Sequence, residues 1–90
     1  MPGIKVEIIT PEKMVFSADA DFLTVPAYAG EMGILPGHAP LVAQLLQGNI
    51  RITTGATIQK LAITGGVMSV SPAKVAVFAK SAQLWLNGKG

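Results

Sequence analysis

Apolar residues recur at every second position along much of this chain, and short breaks rich in glycine, proline or asparagine separate the runs. Period-two alternation puts one set of side chains on one face of an extended backbone, so it predicts strands that bury a single face. In "IKVEII" the residues Ile4, Val6 and Ile8 alternate with Lys5 and Glu7, and Thr10, Pro11, Glu12 and Lys13 supply a turn into "MVFSA". A third strand, "DFLTVP", is expected to end at Pro26, and "GILP" makes a short fourth. "LVAQLL" fits either a strand or one helical turn, which periodicity alone does not separate. Gly48 and Asn49 read as a turn pair that opens "GNIRITT", and "TGA" turns into "TIQKLAIT". Gly65 and Gly66 break that strand before "VMSVS", and Pro72 with Ala73 turns the chain into "KVAVFAK". Helix signals are nearly absent. Strands spaced at roughly 8 to 12 residues predict an all-β sandwich or barrel.

Composition sharpens this picture. Half of the 90 residues are hydrophobic and only 13% are charged, a balance too apolar for disorder. A chain of this length builds one core, and no linker, repeat or low-complexity segment divides it. The absence of cysteine excludes a disulfide framework and a thiolate zinc site, and it fits a reducing compartment. No apolar run reaches the roughly eighteen residues of a membrane span, and "MPGIKVEI" has neither the basic start nor the apolar stretch of a signal peptide.

Charge is unevenly spread. All five acids (Glu7, Glu12, Asp19, Asp21 and Glu31) precede residue 32, whereas Arg51, Lys60, Lys74, Lys80 and Lys89 follow with no acid among them. These bases are single and far apart, and few aromatic residues are present for stacking on bases, so the pattern reads as solvated surface and not as a nucleic-acid site.

Candidate chemistry concentrates in "GEMGILPGHAP", residues 30–40, which holds the chain's one histidine. Nucleophilic catalysis needs a serine or cysteine beside an oriented histidine, and Ser17, Ser69, Ser71 and Ser81 carry no nucleophile-elbow motif. His38 and Glu31 supply at most two ligands where a metal takes three or four. The segment matches neither phosphate-binding glycine pattern and leads into more strand. Biotinyl and lipoyl carrier domains are also small β-sandwiches with a lysine on a hairpin. Lys13 lies in such a place, although Glu12 stands where a biotinylated lysine typically has methionine. What the residues themselves describe is a loop built for shape: Gly30, Gly33 and Gly37 permit positive φ or close approach, and Pro36 and Pro40 set its exits. His38 is then either a loop histidine bonded to backbone or a contact residue.

Taken together, "VEIITPEKMVFS", "GEMGILPGHAPLV", "GNIRI" and "LAITGGVMSVSPAKVAVFA" resemble the N-terminal domain of the epsilon subunit of F-type ATP synthases, over about residues 4–80. Each piece is weak alone, and the combination is specific. The resemblance implies a flattened ten-stranded β-sandwich without catalytic residues or cofactor. It implies a place in the central stalk, bound to the gamma subunit and resting on the polar loops of the membrane c-ring, on the cytoplasmic face of a bacterial plasma membrane or the stromal face of a thylakoid. Membrane association is then through the complex alone. By the same resemblance Glu31, Met32, His38 and Tyr28 face the c-ring. Thr10, Val42 and Ala43 lie toward gamma, and Gly30, Gly33, Gly37, Gly65 and Gly66 shape turns. Tyr28 departs from the family pattern in adding an aromatic ring to "AYAGE".

Residues 1–86 are expected to form this domain and residues 87–90 a flexible tail. The helical hairpin that follows in the family does not fit in "SAQLWLNGKG", so inhibition by that hairpin is not carried over. "LWL" is expected to pack on the domain as a last edge strand, with an exposed patch for gamma as the alternative. A small carrier or binding module is the competing function, and mass spectrometry for biotin or lipoate on Lys13 separates the two. With no phosphate loop and no hairpin, the chain is expected to hydrolyse no ATP and to show no ATP binding of millimolar affinity or tighter. Saturable heat from such binding in a calorimetric titration would contradict this.

Overall fold

A computed structural model describes residues 3–84, which form ten strands and, among the described residues, no helix. In chain order they are β1 (Ile4–Ile9), β2 (Met14–Ala20), β3 (Phe22–Ala27), β4 (Gly30–Ile34), β5 (Leu41–Leu45), β6 (Gly48–Thr54), β7 (Thr57–Ile63), β8 (Gly66–Ser71), β9 (Lys74–Ala79) and β10 (Ala82–Leu84). Alternation drives the burial: Ile4, Val6 and Ile8 of β1, Ile50 and Ile52 of β6, and Val75 and Val77 of β9 all lie in one core, with the residues between them turned outward. The expected all-β sandwich is what forms. "LVAQLL" is a strand, because Leu41 to Leu45 pair residue by residue with β8. Trp85, Leu86 and residues 87–90 lie outside the described residues.

The strands run in the order β10-β7-β6-β3-β5-β8-β9-β1-β2, with β4 on the other side of β3. All pairs are antiparallel except β1 with β9. The joint between β3 and β5 is one ladder pair wide, Ala27 opposite Leu45. It is reinforced by Leu46 N donating to Pro26 O at 2.7 Å and Tyr28 N donating to Gln44 O at 2.9 Å. Here the chain passes between the two halves of the sandwich, which close over a shared core. The far side is tied by β2 and β6. Asp21 N donates to Thr53 O at 2.8 Å, and Gly55 N donates to the Asp21 carboxylate at 2.6 Å.

Two boundaries differ from the sequence reading. β3 continues through Pro26 to Ala27, since Pro26 lies between the last β3·β6 pair and the β3·β5 joint, where that side of β3 has no ladder partner to receive an N–H. Gly48 and Asn49 are not a turn but the first residues of β6, opposite Ile63 and Ala62. Leu46 and Gln47 make the connection instead. Gly48 starts the strand because a Cβ there would lie 2.9 Å from Pro26 Cβ.

The glycines also separate by role. Gly30, Gly37 and Gly65 have φ of 126°, 82° and 120°, as shaped turns require. Gly33 does not. It sits in β4 opposite Thr24 without positive φ and with open space around it. Gly66 is constrained by contact, because an added Cβ would fall on Phe78 O and 2.9 Å from Ala79 Cα, both backbone atoms of the neighbouring strand. Gly66→Ala is therefore expected to destabilise the fold by about 2–3 kcal/mol in urea unfolding, as overpacking does. Gly33→Ala should stay within about 0.5 kcal/mol. Equal effects at the two positions would show that the approach of β8 to β9 is not the constraint.

Candidate functional site

The turn from β3 to β4 projects Tyr28, which is 72% exposed while its backbone is held to β5. Next to it Glu31 begins the solvent-facing side of β4, opposite Pro26. Its carboxylate lies 3.8 Å from the Arg51 guanidinium, with side chains 63% and 51% exposed respectively. At that separation and exposure the pair adds no more than about 1 kcal/mol. Glu31 and Arg51 line an open groove of about 360 Å³ together with Pro26, Leu46, Gln47 and Asn49.

The other residues expected on this edge are elsewhere. Met32 lies opposite Val25, half-buried and packed on the core. The loop of His38 is fastened past the opposite end of β8, where Gly37 N donates to Pro72 O at 2.8 Å. The β5·β8 ladder thus separates His38 from the groove at Leu46 and Gln47. His38 is half-buried as a residue, and its Nδ1 lies 2.8 Å from Ala39 O in an exposed contact in which the nitrogen donates. That is the backbone contact expected of a loop histidine. Among the described residues no three of His, Cys, Asp and Glu gather as metal ligands.

The residues expected toward gamma divide in the same way. Val42 is 73% exposed on the outer face of β5, whereas Ala43 packs against the core. Thr10 is buried at 8% exposure, and its hydroxyl donates to Lys13 O at 3.2 Å, closing the β1–β2 turn. Around Val42 the structure adds what the sequence reading missed. Pairing aligns Val67, Phe78, Ile9 and Met14 in a row across β8, β9, β1 and β2. Val67, Phe78 and Met14 are 45%, 50% and 49% exposed. Val42 sits diagonal to Val67, within reach for large side chains. The signal was present in "VMSV" and "KVAVFA", where the outward-facing phase of the strand carries Val67 and Phe78. An open concavity of about 480 Å³, lined by Val42, Leu46, Val67 and Lys80, links this face to the Glu31 groove through Leu46.

The family described as the β-sandwich domain of the ATP synthase delta/epsilon chain matches residues 3–84. The chain belongs to that family. It is 44% identical over 79 residues to the ATP synthase epsilon chain of Desulforamulus reducens, covering 88% of this chain and 60% of the relative. With that of Halalkalibacterium halodurans it shares 40% over 84 residues, covering 93% and 63%. The chain thus spans about 60% of the length of these curated relatives. Among solved structures, it superposes with a TM-score of 0.86 on a chain of the Euglena gracilis mitochondrial ATP synthase, in a cryo-EM structure of OSCP, F1 and c-ring, over 93% of this chain and 54% of that one. A chain of the Tetrahymena thermophila central stalk and c-ring gives 0.75, covering 90% and 66%. At 23% and 15% identity these two show the shared fold. Family membership sets aside the carrier-module reading of Lys13, which lies on the β1–β2 turn with both backbone polar groups bonded to Thr10.

Proposed function

We propose that this domain is the rotor-side module of an ATP synthase epsilon chain, a non-catalytic subunit that joins the gamma subunit to the polar loops of the c-ring and helps couple ion translocation to ATP synthesis. The observation that carries the reading is the pair of distinct surfaces on one rigid sandwich. The apolar row of Val67, Phe78, Ile9 and Met14, with Val42 beside it, occupies an outer sheet face, and the charged groove of Glu31 and Arg51 occupies the end of the β3–β4 hairpin. A coupling module needs two such surfaces, because a part that only binds one neighbour transmits nothing to a second. Gamma docks on the apolar row, and the ring loops meet Tyr28 and Glu31. In this reading Thr10, Ala43 and Met32 support the surfaces from inside, and His38 takes no part in the ring contact. Attachment to the cytoplasmic face of the membrane is through these partners, which fits the finding that no helix among the described residues is long and apolar enough to cross a membrane.

Two experiments test the two surfaces. Apolar contact is not screened by salt as exposed ion pairs are, so the complex with gamma should persist at several hundred millimolar salt. Val67→Glu combined with Phe78→Glu should weaken it at least tenfold in a pull-down or calorimetric titration. Dissociation of the wild-type complex at that salt, or indifference to the double substitution, would remove gamma from this face.

Glu31→Lys replaces an acid beside Arg51 with a second base, which repels a basic side chain on a docked ring loop. The substituted enzyme is expected to assemble but to pump fewer protons per ATP in membrane vesicles. The loss should be greater at low ionic strength, where the Debye length grows from about 8 Å at physiological salt to about 30 Å at 0.01 M. An unchanged pumping ratio at both salt concentrations would make Glu31 a solvated turn residue.

A further inference from the structure

Glu31 shares its groove with a charge of opposite sign. Arg51 reaches it at 3.8 Å because β3 carries the two residues on its two sides, Glu31 opposite Pro26 and Arg51 opposite Thr24, two positions apart along the strand. The groove between them is floored by Pro26 and Gly30 and flanked by Gln47 and Asn49. Both charged side chains are more than half exposed, and their separation is near the outer limit for an ion pair. Such a pair exchanges partners readily, since little is lost when it opens.

This geometry determines which ligand charge fits. A single cation brought to Glu31 also approaches Arg51, and repulsion from the guanidinium offsets much of the attraction. A single anion at Arg51 meets the same opposition from Glu31. A segment that brings a cation to Glu31 and a carboxylate to Arg51 together places every charge beside its complement, with like charges on the longer diagonals. Arg51 suits that role, because its planar guanidinium can hold a carboxylate through two parallel hydrogen bonds. Resting on the reading that a ring loop docks at this end, we infer that the groove recognises a polar turn carrying a basic and an acidic side chain close together, with Arg51 as a second recognition residue beside Glu31. The specificity of the contact then lies in a pattern of both signs and not in a lone acid.

The probes are four cyclic turn peptides of one backbone, bearing arginine and aspartate, arginine alone, aspartate alone, or neither charge. Each is titrated into the isotope-labelled chain while its amide resonances are followed. The arginine–aspartate peptide should shift Gly30, Glu31 and Arg51 and bind about threefold or more tighter than the arginine peptide, as one further exposed ion pair allows. Arg51→Gln should abolish that preference and improve binding of the arginine-only peptide, whereas Glu31→Gln should keep it and improve binding of the aspartate-only peptide. Both substitutions change exposed side chains, and unshifted core resonances report that each variant folds. Equal binding of the two arginine peptides, weaker binding of the arginine-only peptide to Arg51→Gln, or no shift at the groove with any peptide overturns the inference. Capture of a purified c-ring by the wild-type chain tests the ring reading separately. Capture without peptide discrimination keeps the ring reading and removes this inference, and discrimination without capture does the reverse.

Discussion

One residue pair and two flanking backbone hydrogen bonds join β3 to β5, and the arrangement of both candidate surfaces depends on that joint. Without it β3 would pair with β6 alone on that side, and β5 would have no fixed position relative to the hairpin that carries Tyr28 and Glu31. The joint is narrow because the chain changes direction at Leu46 and Gln47, so β5 follows one half of the sandwich and β6 the other. Pro26 and Gly48 make the corner possible from opposite sides. Proline needs no acceptor where β3 changes neighbours, and glycine leaves room for the proline ring.

The same joint creates the grooves. Leu46, turned partly to solvent just past the joint, lines both the charged groove and the concavity beneath Val42. A partner seated on the outer sheet face and a partner seated at the β3–β4 end would therefore lie on either side of one rigid corner. Rigidity at this point has a physical basis, because the flanking residues Ala27 and Leu45 are buried and part of the common core. Displacement of one surface relative to the other would have to open that core.

Burial also accounts for the division among the glycine and contact residues. Residues that share a loop in the sequence are sent to different surroundings by the pleat, as with Glu31, exposed on β4, and its neighbour Met32, packed inward. Val42 and Ala43 repeat this on β5. A neighbourhood read from sequence as one contact patch thus alternates between surface and core, and about half of it is available to a partner.

Much of this protein was legible in its residues. The period-two apolar pattern determined an all-β fold with Ile4, Val6, Ile8, Ile50 and Ile52 inside, because alternation in an extended backbone admits one buried face and water stabilises that choice. The family motifs around "GEMGILPGHAPLV" pointed to the ATP synthase epsilon chain, and the turns at Gly30, Gly37 and Gly65 followed from their glycines. Sequence alone did not decide between strand and helical turn for "LVAQLL", and it placed strand boundaries wrongly at Pro26 and Gly48, since each depends on which neighbour lies alongside. Nor could it bring Arg51 to Glu31, separate His38 from them, or align Val67, Phe78, Ile9 and Met14 in one row. Those relations join residues far apart in the chain through strand register, and register is determined when the whole sheet closes on its core, after local preference has had its effect.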